Sequence, residues 1–355
     1  MRITFVLSSL GLSGGVLLIV EYANRLSARG HAISLVAPAH TTDDRMAAML
    51  DPQIAVIEAS RTVPAGRSPL SLWRLANSLR AAIPPADVVV ATHTPTVLPV
   101  LLHTLPPGGP GRAWLYMDYP EMFAGRGPER VLLDQTPRFF DRIFTISQPL
   151  TDYVSRQTQA PVDTIRAGLG RAELFFDQPR QSMGDGKRRV LYVGDMRPRK
   201  GLREVLAAAD LLVSDHPDLL LVIASKEPCD LPTAAPVEFH LAPSDTELAG
   251  LYLSSDLLVS ASWGEGLGYP PLEAMACGTP VVLTDSSGVR DYAEDGRNCL
   301  LTPPRDPAAL ATAIARVLDD PALAAALAEA GPTTAARYDW ARCTDEFERG
   351  LLALV

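Results

Sequence analysis

Two glutamates frame a stretch rich in glycine and proline in the second half of the chain. The stretch reads EGLGYPPLE, with seven residues between Glu265 and Glu273. On a helix the two carboxylates would lie about 80° apart, since eight steps of roughly 100° overshoot two turns. The spacing therefore indicates a loop that leads into a helix. Glycines let such a loop approach a ligand closely, and Pro270 and Pro271 suit the first positions of the helix.

The two glutamates have different expected roles. Glu273 is expected in the first turn of that helix, where the helix dipole favours an acid even without a function. Glu265 has no such explanation, because it stands in a glycine loop that is expected at the carboxyl end of a strand. Glu265 is therefore the better candidate for contact with a ligand.

Two further segments are candidate anion sites. VGDMRPRKGLREVL places Arg197, Arg199 and Lys200 between a strand and a helix, which indicates either a phosphate-binding corner or a solvated basic turn. The cluster GLSGG at 11–15 joins the first strand to the first helix, so it suits an anion or forms a plain tight turn. It is not G-x-G-x-x-G and no acid ends the second strand, which disfavours a nicotinamide or flavin dehydrogenase.

The elements that must position these residues alternate between strands and helices. Buried-type strands such as RITFVLS, HAISLVAP, RVLYVG and LLLVIAS are separated by helical patterns in both halves of the chain. This alternation predicts an α/β protein with two doubly wound parallel sheets and a ligand cleft between their carboxyl ends. The expected bounds are 1–178 for an N-terminal domain, 179–189 for a linker, 190–335 for a C-terminal domain and 336–355 for a helix that packs back toward the first domain.

Composition bears on partners and compartment. The net charge of −9 and the pI near 5.2 argue against a nucleic-acid surface. The four cysteines form no C-x-x-C pair, so neither a zinc site nor a disulfide framework is expected, and the cytoplasm is the simplest setting. Serines and glycines interrupt the N-terminal apolar residues, which disfavours a signal peptide. No apolar run reaches the ~18 residues of a membrane span.

One helical segment allows contact with a membrane surface. Trp73 and the arginines at 67, 74 and 80 could form a membrane-touching face, although an ordinary core-packed helix is favoured. The expected membrane contact is therefore at most peripheral.

The glutamate segment resembles a known family. EGLGYPPLEAMACGTPVV resembles the signature of retaining family 4 glycosyltransferases of GT-B fold, and SGGVLLIVEYANRLSARGHAISLV, FDRIFTISQPL and PSDTELAGLYLSSDLLVSAS resemble further segments of that family. The resemblance implies transfer of a sugar, with retention, from a nucleoside diphosphate sugar to a hydroxyl of a small-molecule, lipid-linked or saccharide acceptor, without a cofactor. The alternatives are a sugar-nucleotide epimerase or phosphorylase of similar fold, and a non-catalytic relative that binds a sugar nucleotide.

The resemblance also implies roles for individual residues. Lys200 would hold the donor diphosphate, Glu265 would lie near the donor sugar, and Glu273 would accept hydrogen bonds from the ribose. His93 lies about where many members place a histidine near sugar and acceptor, although an ordinary loop histidine is the alternative; Asp118 is an acceptor-side or base candidate. The implied catalytic residues are His93, Lys200 and Glu265, and the implied donor-binding residues are Gly14, Gly15, Arg197, Arg199, Lys200, His240, Pro243, Glu265, Gly266, Leu267, Gly268, Tyr269 and Glu273.

The chain departs from the family's pattern at the cationic corner. Asp195 follows Gly194, where the family commonly has an arginine on the diphosphate. Either Arg197 or Arg199 must take over that charge, or donor binding is weakened. No Asp-x-Asp pair occurs in the chain, so the usual carboxylate site for a metal-bridged diphosphate is missing. Because arginine and lysine can replace the metal, we expect turnover without a divalent metal.

Overall fold

The chain forms two compact α/β units. The computed structural model describes residues 1–11, 13–64, 68–104, 108–120, 127–229, 232–286 and 288–355, so Arg67 lies outside the described residues. One unit comprises Met1–Ala167 with Trp340–Val355, and the other comprises Gly168–Asp339.

The first unit is built on a seven-stranded parallel sheet in the order β3-β2-β1-β4-β5-β6-β7. The five strands between the two edges are mostly buried, as expected for a sheet covered on both faces, whereas the two edge strands are half-buried or exposed. In chain order the elements are β1 (Arg2–Val6), α1 (Gly14–Ala28), β2 (Ala32–Ala37), α2 (Asp44–Ala48), β3 (Ala55–Glu58), α3 (Pro69–Ala82), β4 (Val88–Ala91), α4 (Val97–Thr104), β5 (Gly111–Tyr116), α5 (Gly127–Gln135), β6 (Arg142–Thr145), α6 (Gln148–Val154) and β7 (Val162–Thr164).

The second unit is built on a six-stranded parallel sheet in the order β10-β9-β8-β11-β12-β13. The two doubly wound parallel sheets predicted from the sequence are therefore confirmed. In chain order the elements are β8 (Arg188–Gly194), α7 (Leu202–Leu212), β9 (Leu219–Ser225), β10 (Val237–Leu241), α8 (Asp245–Ser254), β11 (Leu257–Ser260), α9 (Tyr269–Ala276), β12 (Val281–Thr284), β13 (Leu300–Thr302), α10 (Pro307–Asp319) and α11 (Pro321–Ala335).

The last helix, α12 (Trp340–Leu352), belongs to the first unit. Its buried residues recur every three or four positions, which makes one face apolar. The ring of Phe347 lies 4.7 Å from the rings of both Tyr22 and Phe144, measured between centroids. Gly350 allows α12 to approach the sheet, because a Cβ there would lie 2.3 Å from the Phe144 ring.

The boundary between the units differs from the expected one. The chain leaves the first unit at Ala167 rather than at 178, and it returns at Trp340. The segment expected as a linker, 179–189, is part of the second unit. Arg180 explains why: its guanidinium donates to Tyr252 O at 2.9 Å and also to Thr279 Oγ1 and Ser255 O. A polar composition does not predict such a contact, because a flexible linker and a hydrogen-bonded surface segment have similar residues.

No helix within the described ranges is long and apolar enough to cross a membrane.

Candidate functional site

The cationic corner is a tight loop between β8 and α7. A short helical turn at Pro198–Lys200 follows the strand, and Gly201 then begins α7 with φ +72°. This left-handed conformation favours glycine. A Cβ at Gly201 would also lie 2.1 Å from the carbonyl oxygen of Ala261. The loop is therefore pressed against the end of β11, which brings Lys200 next to the glutamate loop.

Asp195 is paired within this loop. The Arg197 guanidinium donates to both Asp195 carboxylate oxygens at 2.5–3.0 Å, and the Arg197 backbone N–H donates to Oδ1 at 3.0 Å. The hydrogen bonds from Arg197 hold the pKa of Asp195 below its ordinary value. The side chain of Asp195 is 18% exposed and that of Arg197 59% exposed. The charge of Asp195 is thus neutralised by its neighbour two residues along.

Glu265 is the centre of a network of polar side chains. Its Oε1 accepts hydrogen bonds from Lys200 Nζ at 2.6 Å and from Ser262 Oγ at 2.7 Å. Its Oε2 lies 3.5 Å from Arg199 Nη1, which donates to Gly264 O at 3.0 Å. Only 11% of the Glu265 side chain and 16% of the Lys200 side chain are exposed. The structure therefore brings together Lys200, Arg199 and Glu265, as the sequence predicts.

The loop after Glu265 is shaped by a glycine that sequence reasoning missed. The backbone N–H of Gly288 donates to Glu265 O at 3.1 Å. A Cβ at Gly288 would lie 2.2 Å from Gly266 O, so no larger residue fits without moving the loop. At the far end, Gly268 has φ +82° and its carbonyl accepts a hydrogen bond from Tyr292 Oη at 3.2 Å. The backbone from Gly266 to Gly268 is thus held from both ends, and Leu267 is buried.

Glu273 lies farther along its helix than predicted. Helix α9 begins at Tyr269 and has no acid in its first turn, so the expectation that Glu273 occupies that turn was wrong. The two prolines and Tyr269 all fit within the helix, which starts earlier than the sequence suggested. Glu273 instead accepts a hydrogen bond from the buried Tyr252 hydroxyl at 2.7 Å. Burial raises the pKa of Glu273 to about 7; the Tyr252 hydrogen bond opposes this shift and the charge of Asp245 adds to it.

The residues implied in nucleobase contact lie at the edge of the same sheet. His240 is on the edge strand β10, where its Nε2 lies 2.8 Å from Glu238 Oε1. Ala242 has a left-handed backbone (φ +46°), and Pro243 then leads into α8. Because every strand of this sheet is parallel, this segment emerges at the same edge as the loops after β8 and β11.

In the first unit, the glycine cluster meets His93. Ser13 caps α1 by accepting the backbone N–H of Val16 at 3.3 Å, and Gly14 at the start of the helix is exposed. A Cβ on Gly15 would lie 3.2 Å from His93 Nε2 and 3.1 Å from Met117 Sδ. Gly15 therefore permits the close approach of the helix to the histidine.

His93 lies beside the hydroxyl of Thr92. Thr92 Oγ1 lies 3.1 Å from His93 Nδ1 and donates to Val6 O at 2.8 Å. Burial lowers the pKa of His93 and the charge of Asp118 opposes this shift. The imidazole is therefore neutral near pH 7, and its Nε2 lies on the side of Gly15.

Asp118 is held by a neighbour of His93. Its Oδ2 accepts hydrogen bonds from the backbone N–H of Thr94 at 2.8 Å and from Thr94 Oγ1 at 2.7 Å. The sequence did not single out Thr94. The same is true of Ser262 and Tyr252, whose hydroxyl groups hold the two glutamates. Thr94 and Tyr252 bind carboxylates that are distant in sequence, which leaves no local pattern, so only the fold reveals these two contacts. Ser262 is three residues before Glu265, and its hydroxyl is a local signal that the sequence analysis did not use.

Comparison with known proteins gives a family for part of the chain. Residues 176–334 match the family model of glycosyl transferases group 1. The chain is 33% identical over 169 residues to D-inositol 3-phosphate glycosyltransferase 2 of Catenulispora acidiphila, which covers 42% of this chain and 40% of that protein. It is 31% identical over 215 residues to glycogen synthase of Mycobacterium tuberculosis, which covers 56% of this chain and 51% of that protein. The chain thus spans about half or less of the length of these curated relatives.

Solved structures share the fold over the whole chain. The sucrose-phosphate synthase from Thermosynechococcus elongatus has a TM-score of 0.79 at 19% identity, with all of both chains covered. Anabaena HepE in complex with UDP-glucose has a TM-score of 0.74 at 18% identity, again with both chains fully covered. The lipopolysaccharide outer core galactosyltransferase WaaB has a TM-score of 0.76 at 15% identity. At these identities the likeness shows the GT-B fold alone.

Proposed function

We propose, from the premise that residues 176–334 belong to glycosyl transferases group 1, that this protein is a retaining glycosyltransferase. It moves a sugar from a nucleoside diphosphate sugar to a hydroxyl group of an acceptor. The second unit binds the donor and the first unit binds the acceptor. The reaction takes place in the cytoplasm, where sugar nucleotides are made and cysteines stay reduced.

The Lys200–Glu265 pair is the observation that carries this proposal. In the structure the two side chains form an ion pair at 2.6 Å, but each keeps further positions for hydrogen bonds. An ammonium group has three N–H donors, and a carboxylate has about four acceptor positions. Lys200 can therefore donate to a phosphate oxygen, and Glu265 can accept from a sugar hydroxyl, while the pair remains intact. A diphosphate sugar places these two kinds of group next to each other.

The cationic side chains are proposed to stabilise the diphosphate leaving group. Breaking the bond between sugar and diphosphate leaves negative charge on the diphosphate, and donors fixed in advance stabilise that charge most effectively. Lys200 and the backbone N–H groups of the loop from Gly266 to Tyr269 supply such donors. Arg197 adds a further cation whose outer edge is exposed. Arginine and lysine can take the place of a divalent metal in this role.

The nucleoside is bound by the neighbouring elements of the second unit. Glu273 accepts hydrogen bonds from the ribose, and the backbone between His240 and Pro243 contacts the base. The raised pKa of Glu273 fits this role. Burial removes the carboxylate from water, and a ribose hydroxyl would donate a hydrogen bond that water does not supply there.

The acceptor side is assigned to the first unit. The lone pair of His93 Nε2 can accept a hydrogen bond from a sugar hydroxyl or receive the proton of the acceptor. The N–H groups at Gly14 and Gly15 lie at the start of α1 and suit an anionic group such as a phosphate. Asp118 keeps Oδ1 without a hydrogen bond in the described part of the chain, so it can serve as the weaker acceptor-side candidate.

The test is turnover of UDP-glucose, GDP-mannose, dTDP-glucose and ADP-glucose, measured as release of the nucleoside diphosphate. For Lys200→Ala and Glu265→Gln we expect kcat/KM for the donor to fall at least about a hundred-fold, since each change removes a charged group from the reacting centre. Arg203→Gln is the matched control, because Arg203 is exposed on the adjacent helix α7. Activity that survives both site changes would refute the assignment.

The product distinguishes the alternatives. A new glycoside with the donor's anomeric configuration supports the proposal, whereas a 2-epimer of the sugar nucleotide indicates an epimerase and a sugar phosphate indicates a phosphorylase. Binding of a sugar nucleotide without any product indicates a non-catalytic relative. Activity in a chelator should equal activity without it; a loss that manganese or magnesium restores would contradict the metal-independent mechanism.

A further inference from the structure

One segment of the first unit has a charge opposite to that of the whole chain. Residues 59–86 contain four arginines and no aspartate or glutamate, although the chain has 41 acidic and 32 basic residues. In an acidic protein, any positive charge that binds a ligand must be local. The described part of this segment, which forms the loop after β3 and the helix α3, is therefore a candidate anion-binding surface.

A groove lies within this segment. Its volume is about 350 Å³, and its lining includes Arg61, Arg74, Ser60 and Thr62 but no carboxylate. The nearest acid along the chain, Glu58, accepts the backbone N–H of His40 at 3.3 Å and the hydroxyl of Thr42 at 3.0 Å, on the side of β2. The groove therefore presents two guanidinium groups and hydroxyl groups, with no acid to neutralise them.

The two arginines are not used elsewhere. Within the described ranges, neither Arg61 nor Arg74 makes an ion pair or a side-chain hydrogen bond, whereas exposed arginines such as Arg2 and Arg112 are paired with aspartates at 2.7 and 2.6 Å. A guanidinium has five N–H donors in a planar fork that matches the oxygens of a phosphate or carboxylate. Two such forks facing one groove, with hydroxyl donors beside them, suit an oxyanion.

The position of the groove relates it to the candidate acceptor side. Arg61 O accepts the backbone N–H of Ala39, which follows β2, and Leu10 pairs with Thr42 at the start of the glycine cluster. The groove therefore lies at the carboxyl edge of the sheet, where β2 separates β3 from β1. Adjacent strands are about 4.8 Å apart, so roughly 10 Å separates the groove from the loop after β1. One acceptor molecule of modest size can span that distance.

We propose that this groove binds a phosphate group, or a similar oxyanion, that the acceptor carries. The inference rests on the proposed function, which supplies the acceptor, and it names a class of acceptors that carry an anionic group apart from the reacting hydroxyl. Leu70 and Trp73 on α3 are each 55% exposed and flank the segment. They leave two sources for the anionic group, a soluble phosphorylated compound or a phospholipid headgroup at a membrane surface.

The test uses ¹⁹F NMR of protein labelled with 5-fluorotryptophan. The chain has four tryptophans. Trp73 precedes Arg74 in α3 and reports on the groove. Trp263 reports on the cationic corner, because its backbone N–H donates to Arg199 O at 2.8 Å. Each resonance is assigned by a Trp→Phe variant. Inorganic phosphate is titrated into one sample, and UDP, GDP, dTDP and ADP are each titrated into another.

We expect phosphate to shift the Trp73 resonance saturably. The apparent Kd should rise at least about ten-fold in the Arg61→Gln, Arg74→Gln double variant, since two charge-assisted bonds are lost. It should stay unchanged in the control Arg80→Gln, which alters an exposed arginine of α3 outside the groove. All three arginines are exposed, so these variants are expected to fold.

Vesicles distinguish the two sources of the anion. Phosphatidylcholine vesicles with phosphatidylglycerol, compared with phosphatidylcholine alone, should broaden the Trp73 resonance in an Arg61- and Arg74-dependent way if the group belongs to a lipid. Free phosphate acting alone indicates a soluble acceptor. A Trp73 resonance that responds to neither probe, or responds equally in the double variant, would overturn the inference. Failure of the proposed function would appear separately, as a Trp263 resonance that none of UDP, GDP, dTDP and ADP shifts.

Discussion

The buried carboxylate of Glu273 makes the stability of the second unit depend on pH in a calculable way. Burial raises its pKa from the ordinary value of 4.5 to about 7. Below pH 4.5 the folded and unfolded forms both hold the proton. Between pH 4.5 and 7 only the folded form keeps it, so stability falls as pH rises, and above pH 7 the loss is complete. The difference between a pKa of 4.5 and one of about 7 corresponds to about 3 kcal/mol.

The variant Glu273→Gln removes this titration. Its amide oxygen can still accept the Tyr252 hydroxyl, which donates to Glu273 Oε2 at 2.7 Å in the wild type. We therefore expect the free energy of unfolding of the variant, relative to the wild type, to increase by about 3 kcal/mol between pH 4.5 and pH 8. The measurement is urea unfolding at several pH values, followed through the ¹⁹F resonance of Trp263, which lies in the second unit.

Glu247 provides a control of opposite sign. It caps α8 by accepting the backbone N–H of Ser244 at 2.8 Å, and the hydrogen bonds from the Ser244 backbone and hydroxyl lower its pKa. Its contribution is present at neutral pH and lost as pH falls through its lowered pKa. Glu247→Gln should therefore lose stability relative to the wild type as pH rises from 3 to 6. A difference between Glu273→Gln and wild type that is flat from pH 4.5 to 8, or that decreases, would refute the reasoning.

Two further changes address the cationic corner and the glutamate loop. Asp195→Asn leaves Arg197 without its partner carboxylate and removes one negative charge from the proposed diphosphate site. The nucleoside diphosphate of the donor should therefore bind about five-fold tighter, equivalent to about 1 kcal/mol, by isothermal titration calorimetry. Unchanged or weaker binding would show that Asp195 positions Arg197 for the donor. Gly288→Ala introduces a Cβ 2.2 Å from Gly266 O and should reduce kcat/KM for the donor at least about ten-fold, whereas Gly264→Ala, whose Cβ meets nothing within 4 Å, should have little effect. Equal effects of the two glycine changes would contradict the role of Gly288 in shaping the loop.

The sequence predicts the parts of the site that follow strands. Parallel strands end at one edge of a sheet, so the cations after β8 and the glutamate loop after β11 could be expected to meet. In the structure Lys200 Nζ and Glu265 Oε1 lie 2.6 Å apart, a contact that the sequence analysis did not itself predict. Alternating apolar strands and helices likewise sufficed for the two sheets, because burial on both faces imposes that pattern.

The sequence does not predict which charged side chains pair with each other. Asp195 in the cationic corner suggested repulsion of a diphosphate, but its pairing with Arg197 depends on the backbone turn between them. The role of Glu273 depended on where α9 begins, and a start at Tyr269, one residue before Pro270, removes the acid from the first turn. Helix boundaries and side-chain pairing follow from tertiary packing, which residue spacing does not encode.

The placement of α12 sets an order of assembly during protein synthesis. The second unit is one continuous segment, so all its strands leave the ribosome before α12 does. Until then, the rings of Phe5, Tyr22 and Phe144 lack Phe347, the aromatic side chain that packs against all three. Domains usually fold from the N-terminus as they emerge. Here the unit that is synthesised first receives its last helix at the end of translation. The apolar surface that α12 covers must stay uncovered while about half the protein is translated.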